Sequence, residues 1–238
     1  MKHVAVILAG GIGKRMDSSM PKQFLEIKGK PIIAHTIENF QKCRDIDNIL
    51  IVCVKEWKEY LDDIVEKYEL SKVSWIVEGG NTVHDSTRNA VFFLKDYISD
   101  DDYVIIHDAA RPILPQVAIK TMLDIAHENG NASLAIPSHE TLIYTDDQIS
   151  GNSQLDRSKV MRVQTPQTYV FSQIYSLYQR AEADNIHDII YADLVAIHYG
   201  ERVFFSKGFT NNIKITRKED IPLCESLMDF SEVELFSE

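Results

Sequence analysis

Val4-Ala5-Val6-Ile7-Leu8 runs directly into Ala9-Gly10-Gly11-Ile12-Gly13-Lys14-Arg15-Met16, and the fold turns on how that junction is read. The unbroken apolar run fits a strand covered on both faces, as in a parallel sheet, rather than a half-wet antiparallel one. The glycines after it let the backbone turn sharply and point N–H groups at an oxyanion. Lys14 and Arg15 add the charge that a triphosphate calls for. A plain tight turn from strand to helix would use the same residues. The spacing is not that of the P-loop, because Arg15 follows Lys14 where a Ser or Thr belongs. Nor is it G-x-G-x-x-G, because Met16 takes the third glycine position.

Working outward, short apolar runs alternate with helical stripes. Strands are expected at 48–54, 73–77, 103–106 and 132–136, with short ones at 203–205 and 213–215. Helices are expected over 31–40, 57–68, 86–98, 117–127, 172–184, 191–199 and 217–229. This repetition predicts one α/β domain over residues 1–238, a three-layer, doubly wound and mostly parallel sheet. Ligands of such sheets sit beyond the carboxyl ends of the strands. The polar stretch at about 138–161 breaks the pattern and reads as a projecting β-arm.

Composition narrows the class. With 238 residues and 45% hydrophobic content the chain can bury a sizeable core. A net charge of −11 argues against a general nucleic-acid binder, so any cations near glycine loops carry more information. No apolar run is long enough for a bilayer, the start shows no signal-peptide pattern, and Cys43, Cys53 and Cys224 are scattered; a cytoplasmic protein is expected. The eight histidines lack zinc-site spacing. The acidic end, 232–238, reads as a solvated, frayed terminus.

Pro21-Lys22-Gln23-Phe24 changes the weight of the opening loop. The combined pattern L-A-G-G-x-G-x-R-M-x-x-x-x-P-K-Q-F resembles the signature of the nucleotidyltransferases. More narrowly it is similar to the cytidylyltransferases that act on 2-C-methyl-D-erythritol 4-phosphate or ribitol 5-phosphate, and the resemblance runs nearly the whole chain. It implies a Rossmann-like nucleotidyltransferase fold and transfer of CMP from CTP, with Mg2+, to a polyol phosphate. It also implies a homodimer built through the arm, and neither nucleic acid nor membrane as partner.

By that resemblance Leu8, Ala9, Gly10, Gly11, Gly13 and Lys14 cradle the CTP phosphates, while Arg15 and Lys22 stabilise charge on the α-phosphate. Gly80, Asn81, Asp85 and Ser86 fall in the segment that holds the nucleoside, although Asp85 and Ser86 also suit a helix N-cap. Val83 stands where the family has an arginine, and Arg88 on the following helix is the candidate replacement. In His107-Asp108-Ala109-Ala110-Arg111-Pro112, the resemblance places Asp108 and Arg111 at the acceptor, with Asp108 also able to meet the metal. An Asp–Arg pair bracing the turn is the plainer reading, and His107 is expected in the core. Thr141 and Thr165 join the acceptor set. Arg157 on the arm and Lys214 in Asn212-Ile213-Lys214-Ile215-Thr216 would aim the acceptor phosphate; each is otherwise a surface cation.

H-D-A-A-R-P and D-R-S…Q-T-P-Q lean towards the methylerythritol enzymes of isoprenoid biosynthesis, and L-A-G-G towards the ribitol enzymes of teichoic acid and capsule, a cell-wall polysaccharide role. The first is placed slightly ahead. Two other classes stay open. A glycosyltransferase would need D-x-D after a strand, but Asp100-Asp101-Asp102 precedes one. A non-catalytic relative would bind CTP without turning it over.

Overall fold

The structure is a computed structural model and describes residues 1–11 and 20–236. β1 (His3–Ala9) leads to a 3-10 turn at Lys22–Phe24, a small antiparallel pair, β2 (Glu26–Ile27) and β3 (Lys30–Pro31), and α1 (Ile32–Lys42). The alternation continues through β4 (Asn48–Cys53), α2 (Lys58–Lys67), β5 (Val73–Glu78), α3 (Val83–Leu94) and β6 (Tyr103–Asp108). α4 (Gln116–Asn129) and β7 (Asn131–Pro137) precede the arm, in which β8 (Leu142–Tyr144) pairs antiparallel with β9 (Ser153–Leu155). β10 (Met161–Val170), α5 (Phe171–Ala183), α6 (Ala192–His198), β11 (Phe205–Lys207), α7 (Asp220–Leu227) and α8 (Glu232–Phe236) follow.

The main sheet has seven strands in the order β11-β7-β10-β6-β1-β4-β5. All neighbouring pairs are parallel except those of β10, which is antiparallel to both β6 and β7. Helices cover both faces, and the alternation of side chains along β1 assigns the two cores. Ala5, Ile7 and Ala9 pack with α1, α2 and α4, whereas Val4 and Val6 pack with α3, α5 and α6. β1 lies between β4 and β6, so the chain order reverses there. This is the switch point at which α/β sheets open a crevice beyond the carboxyl ends of their strands.

The expected α/β fold is present, with local differences that have physical causes. The longest strand, β10, has no counterpart in the apolar pattern, because its buried residues include Gln164, Thr165, Gln167 and Thr168. Most of their polar atoms find partners, Gln167 Oε1 being an exception: Gln164 Nε2 donates to Phe209 O at 2.9 Å and Gln167 Nε2 to Asp193 Oδ2 at 2.8 Å. The ladder with β7 shifts between Val163 and Gln167, around Pro166. Segment 213–215 forms no strand; it is anchored where the Ile215 N–H donates to Ala110 O at 2.9 Å. The short strand expected at 203–205 forms at Phe205–Lys207. The last turns are not frayed, since α8 buries Leu235 and sets Phe236 against Phe209 at 5.7 Å between ring centroids.

The three cysteines are buried, and burial pushes the thiols of Cys53 and Cys224 up to about 11 and 12, as suits inert packing residues. No described helix is long and apolar enough to cross a membrane.

α3 starts at Val83, three residues earlier than its apolar stripe suggests, because Thr82 and Asp85 form a capping box. The Asp85 N–H donates to Thr82 Oγ1 at 3.0 Å, and the Thr82 N–H donates back to Asp85 Oδ2 at 3.2 Å. Thr82→Ala should lower the unfolding free energy by about 1 kcal/mol in urea titrations, with Thr82→Ser close to the parent.

Candidate active site

A cleft of about 510 Å3 opens at the switch point. Leu8, Gly10 and Gly11 wall it from the end of β1, Asn81 to Val83 from the start of α3, and Asp108 from the end of β6. Lys22, Lys214 and Thr216 close it from two further segments.

Close backbone approach shapes the first wall. A Cβ on Gly10 would lie 3.0 Å from Ser86 Oγ, and one on Gly80 would lie 2.1 Å from Asp85 Cβ. Glycine at 80 lets the chain fold back onto the first turn of α3, and glycine at 10 lets the first loop lie tight against Ser86. Ser86 Oγ accepts from the Gly80 N–H at 3.1 Å and ties the α3 turn to that contact. Gln23, buried, donates through Nε2 to Ala9 O at 2.6 Å and Gly11 O at 3.0 Å, clamping the start of the glycine loop. Its neighbour Lys22 faces the cleft and donates to Ile215 O at 2.7 Å.

Asp108 organises the opposite wall. Its Oδ1 accepts from Lys214 Nζ at 2.9 Å and its Oδ2 from Arg111 Nε at 3.1 Å. Arg111 Nη1 also donates to Asn212 O at 2.6 Å, and Asn212 Nδ2 to Thr165 O at 2.8 Å. Thr165 Oγ1 accepts from the Asp108 N–H at 3.2 Å and lies 3.1 Å from His107 Nδ1. His107 Nε2 lies 3.0 Å from Arg111 O, which can only accept, so the proton is assigned to Nε2 and Thr165 donates to Nδ1. Burial opposes ionisation of Asp108, but Lys214 and Arg111 outweigh it and hold its carboxyl at about 2. Burial pushes His107 down to about 4, so it is neutral at pH 7. One carboxylate and two cations leave this corner with a single net positive charge, suited to an anion.

The structure gathers Leu8, Gly10, Gly11, Lys22, Gly80, Asn81, Ser86, Asp108 and Lys214 at the cleft, and Arg111 behind Asp108. Gly13, Lys14 and Arg15 lie outside the described residues. The other expected residues are buried, otherwise engaged or apart from the cleft. Ala9 is buried beneath the loop. Asp85 spends its carboxylate on the helix cap and does not line the cleft. Arg88 pairs with Glu182 at 2.9 Å and Asp85 at 3.4 Å, so it does not replace the arginine missing at Val83, which lines the cleft itself. The Thr165 hydroxyl is buried and committed to His107 and Asp108; it positions the acid rather than meeting a ligand. Both Asp108 oxygens accept from cations, and the described residues hold no group of three or more His, Cys, Asp or Glu arranged to hold a metal ion. The residues therefore do not fit a magnesium held by the protein at Asp108. Thr141 and Arg157 are exposed at the base of the arm, where Arg157 Nη1 donates to His139 O at 2.9 Å; neither borders the cleft of its own chain. Gln23, Asn212 and Tyr191 were not singled out. Gln23 and Asn212 sat inside the quoted P-K-Q-F and N-I-K motifs, while Tyr191 carried no sequence signal.

A switch-point cleft with a glycine loop on one side and a cationic corner on the other is the arrangement a nucleotidyltransferase needs. The sequence model of the 2-C-methyl-D-erythritol 4-phosphate cytidylyltransferase family (IspD) matches residues 3–229, and the chain belongs to this family of cytidylyltransferases. It is 34% identical to the ribitol-5-phosphate cytidylyltransferase of Lacticaseibacillus paracasei, across 94% of this chain and 97% of that protein. It is 35% identical to the 2-C-methyl-D-erythritol 4-phosphate cytidylyltransferase of Clostridium novyi, across 96% and 97%. A solved structure of 4-diphosphocytidyl-2C-methyl-D-erythritol synthase from Anaerococcus prevotii shares the fold, with a TM-score of 0.80 and 24% identity over 96% of this chain and 99% of that one.

The neutral His107 gives the corner a pH signature. Its pKa is 6.5 in the unfolded chain and about 4 when folded, so below pH 6.5 the unfolded state takes up a proton that the native state refuses. Stability from this group should fall by about 2 kcal/mol between pH 7.5 and pH 5, then level off below pH 4. Denaturant titrations across that range should show the loss, and His107→Gln should flatten it.

Proposed function

We propose that this cytidylyltransferase transfers CMP from CTP to ribitol 5-phosphate, giving CDP-ribitol and pyrophosphate. The observation that carries the reading is Lys22 standing across one cleft from the Lys214–Asp108–Arg111 corner. The triphosphate would lie on the loop from Leu8 to Arg15, with the base near Gly80 to Ser86. An oxygen of the acceptor phosphate attacks the α-phosphorus in line as the bond to the β-phosphate oxygen breaks, and pyrophosphate leaves. No general base is required, because a phosphate monoester is already ionised near pH 7. Catalysis then rests on positioning and on charge stabilisation by Lys22 and Arg15. Magnesium would arrive as the counter-ion of CTP, and no step depends on a protein ligand for it. Lys214, held by Asp108, receives the acceptor. Thr141 and Arg157, remote from their own cleft, would serve the site of a second copy through the arm of a homodimer. A cytoplasmic setting agrees with CTP as donor.

For the acceptor, support comes from relatives named for ribitol 5-phosphate in Lacticaseibacillus, Streptococcus and Vibrio, which match 94% to 98% of this chain. The motifs place 2-C-methyl-D-erythritol 4-phosphate slightly ahead, and relatives named for it match 95% to 96% of this chain. The second reading, 2-C-methyl-D-erythritol 4-phosphate, is favoured by the family match and by H-D-A-A-R-P. Pyrophosphate release with CTP and each acceptor decides between them: at least tenfold higher kcat/KM with ribitol 5-phosphate is expected, and the reverse order overturns the choice. Lys22→Ala, folded by circular dichroism, should lose on the order of a hundredfold in kcat; parental turnover would remove Lys22 from the chemistry.

A further inference from the structure

Tyr191 stands at the N-terminus of α6, on the partition between the cleft and a second cavity of about 200 Å3. Tyr191 and Arg111 line that cavity, whereas Lys214 and Asp108 line the cleft. The Tyr191 hydroxyl accepts from Lys214 Nζ at 3.4 Å, and the 5.7 Å from ring centroid to ammonium places the ammonium beyond the hydroxyl, off the edge of the ring. Its position is set from behind. Two residues along, buried Asp193 accepts from Ser133 Oγ at 2.7 Å, Gln167 Nε2 at 2.8 Å and Tyr169 OH at 2.6 Å, which ties the first turn of α6 to β7 and β10.

The hydroxyl has a proton to give. Tyr169, used structurally, spends its O–H on Asp193; among the described residues the Tyr191 O–H donates to no protein acceptor. Lys214 has three N–H donors, of which one meets Asp108 and one meets Tyr191. The remaining N–H and the phenol O–H form two donors from centres 3.4 Å apart, spaced to engage neighbouring oxygens of one phosphate.

We propose that Tyr191 binds the phosphate of the acceptor alongside Lys214, its hydroxyl donating to one phosphate oxygen while accepting from the ammonium that Asp108 holds. The inference rests on the reading of the acceptor as a polyol phosphate. Tyr191 supplies no bond-making atom; it holds the nucleophile.

The test is steady-state pyrophosphate release by the full chain and by Tyr191→Phe, which keeps the ring and removes the donor. The KM for the acceptor should rise about tenfold, while the KM for CTP stays within twofold and the melting temperature is unchanged. An unchanged acceptor KM, or an equal rise in the KM for CTP, overturns the proposal. If the parent protein turns over neither polyol phosphate, the acceptor reading fails by itself. Tyr191 is then judged by calorimetric titration of inorganic phosphate into both proteins: weaker binding to Tyr191→Phe by a similar factor supports the assignment, and equal affinity removes it.

Discussion

A carboxylate buried at the end of a central strand is the constraint around which this molecule is arranged. Removing the Asp108 charge from water costs several kcal/mol, and only close, well-directed cations make the burial tolerable. One of them, Arg111, is local; the other, Lys214, comes from the far end of the chain. The end of β6 is thereby bound to segment 212–216, which lacks strand hydrogen bonds of its own. The surplus positive charge of the trio is what the cleft presents to an anion.

The antiparallel strand β10 gives that trio its backing. Its Thr165 fixes both the Asp108 backbone and the neutral tautomer of His107, and its Gln164 and Gln167 carry polar contacts through an otherwise apolar layer. The cost of placing polar side chains in the sheet is offset by contacts that reach the site.

What the sequence made legible follows from this division. The apolar run of β1, its glycine loop and the β-α alternation follow patterns set by local physics, so the fold class and the cleft at the switch point could be read directly. β10 escaped because Gln164, Thr165 and Gln167 look like loop residues until their partners 26 to 58 residues away are known. For Asp85 the helix cap, one of its two readings, is formed, and Arg88 is engaged by Glu182: a side chain near a binding loop is free for a ligand only when no helix cap or neighbouring acid has claimed it. Lys214 was found through its motif, whereas the tyrosine that flanks it had no motif at all. The arm residues Thr141 and Arg157 show the limit of one chain, since their own cleft does not use them.

The peptide unit of Ile215 has a larger part than its side chain suggests. Its N–H is held by Ala110 beside the acidic corner, its carbonyl receives Lys22, and its side chain is wholly buried. Lys214, one residue earlier, is carried by the same short span. The placement of the two lysines that line the cleft is therefore tied to how an aliphatic residue seats in the interior. In this enzyme, the placement of charge in the active site begins in the hydrophobic core.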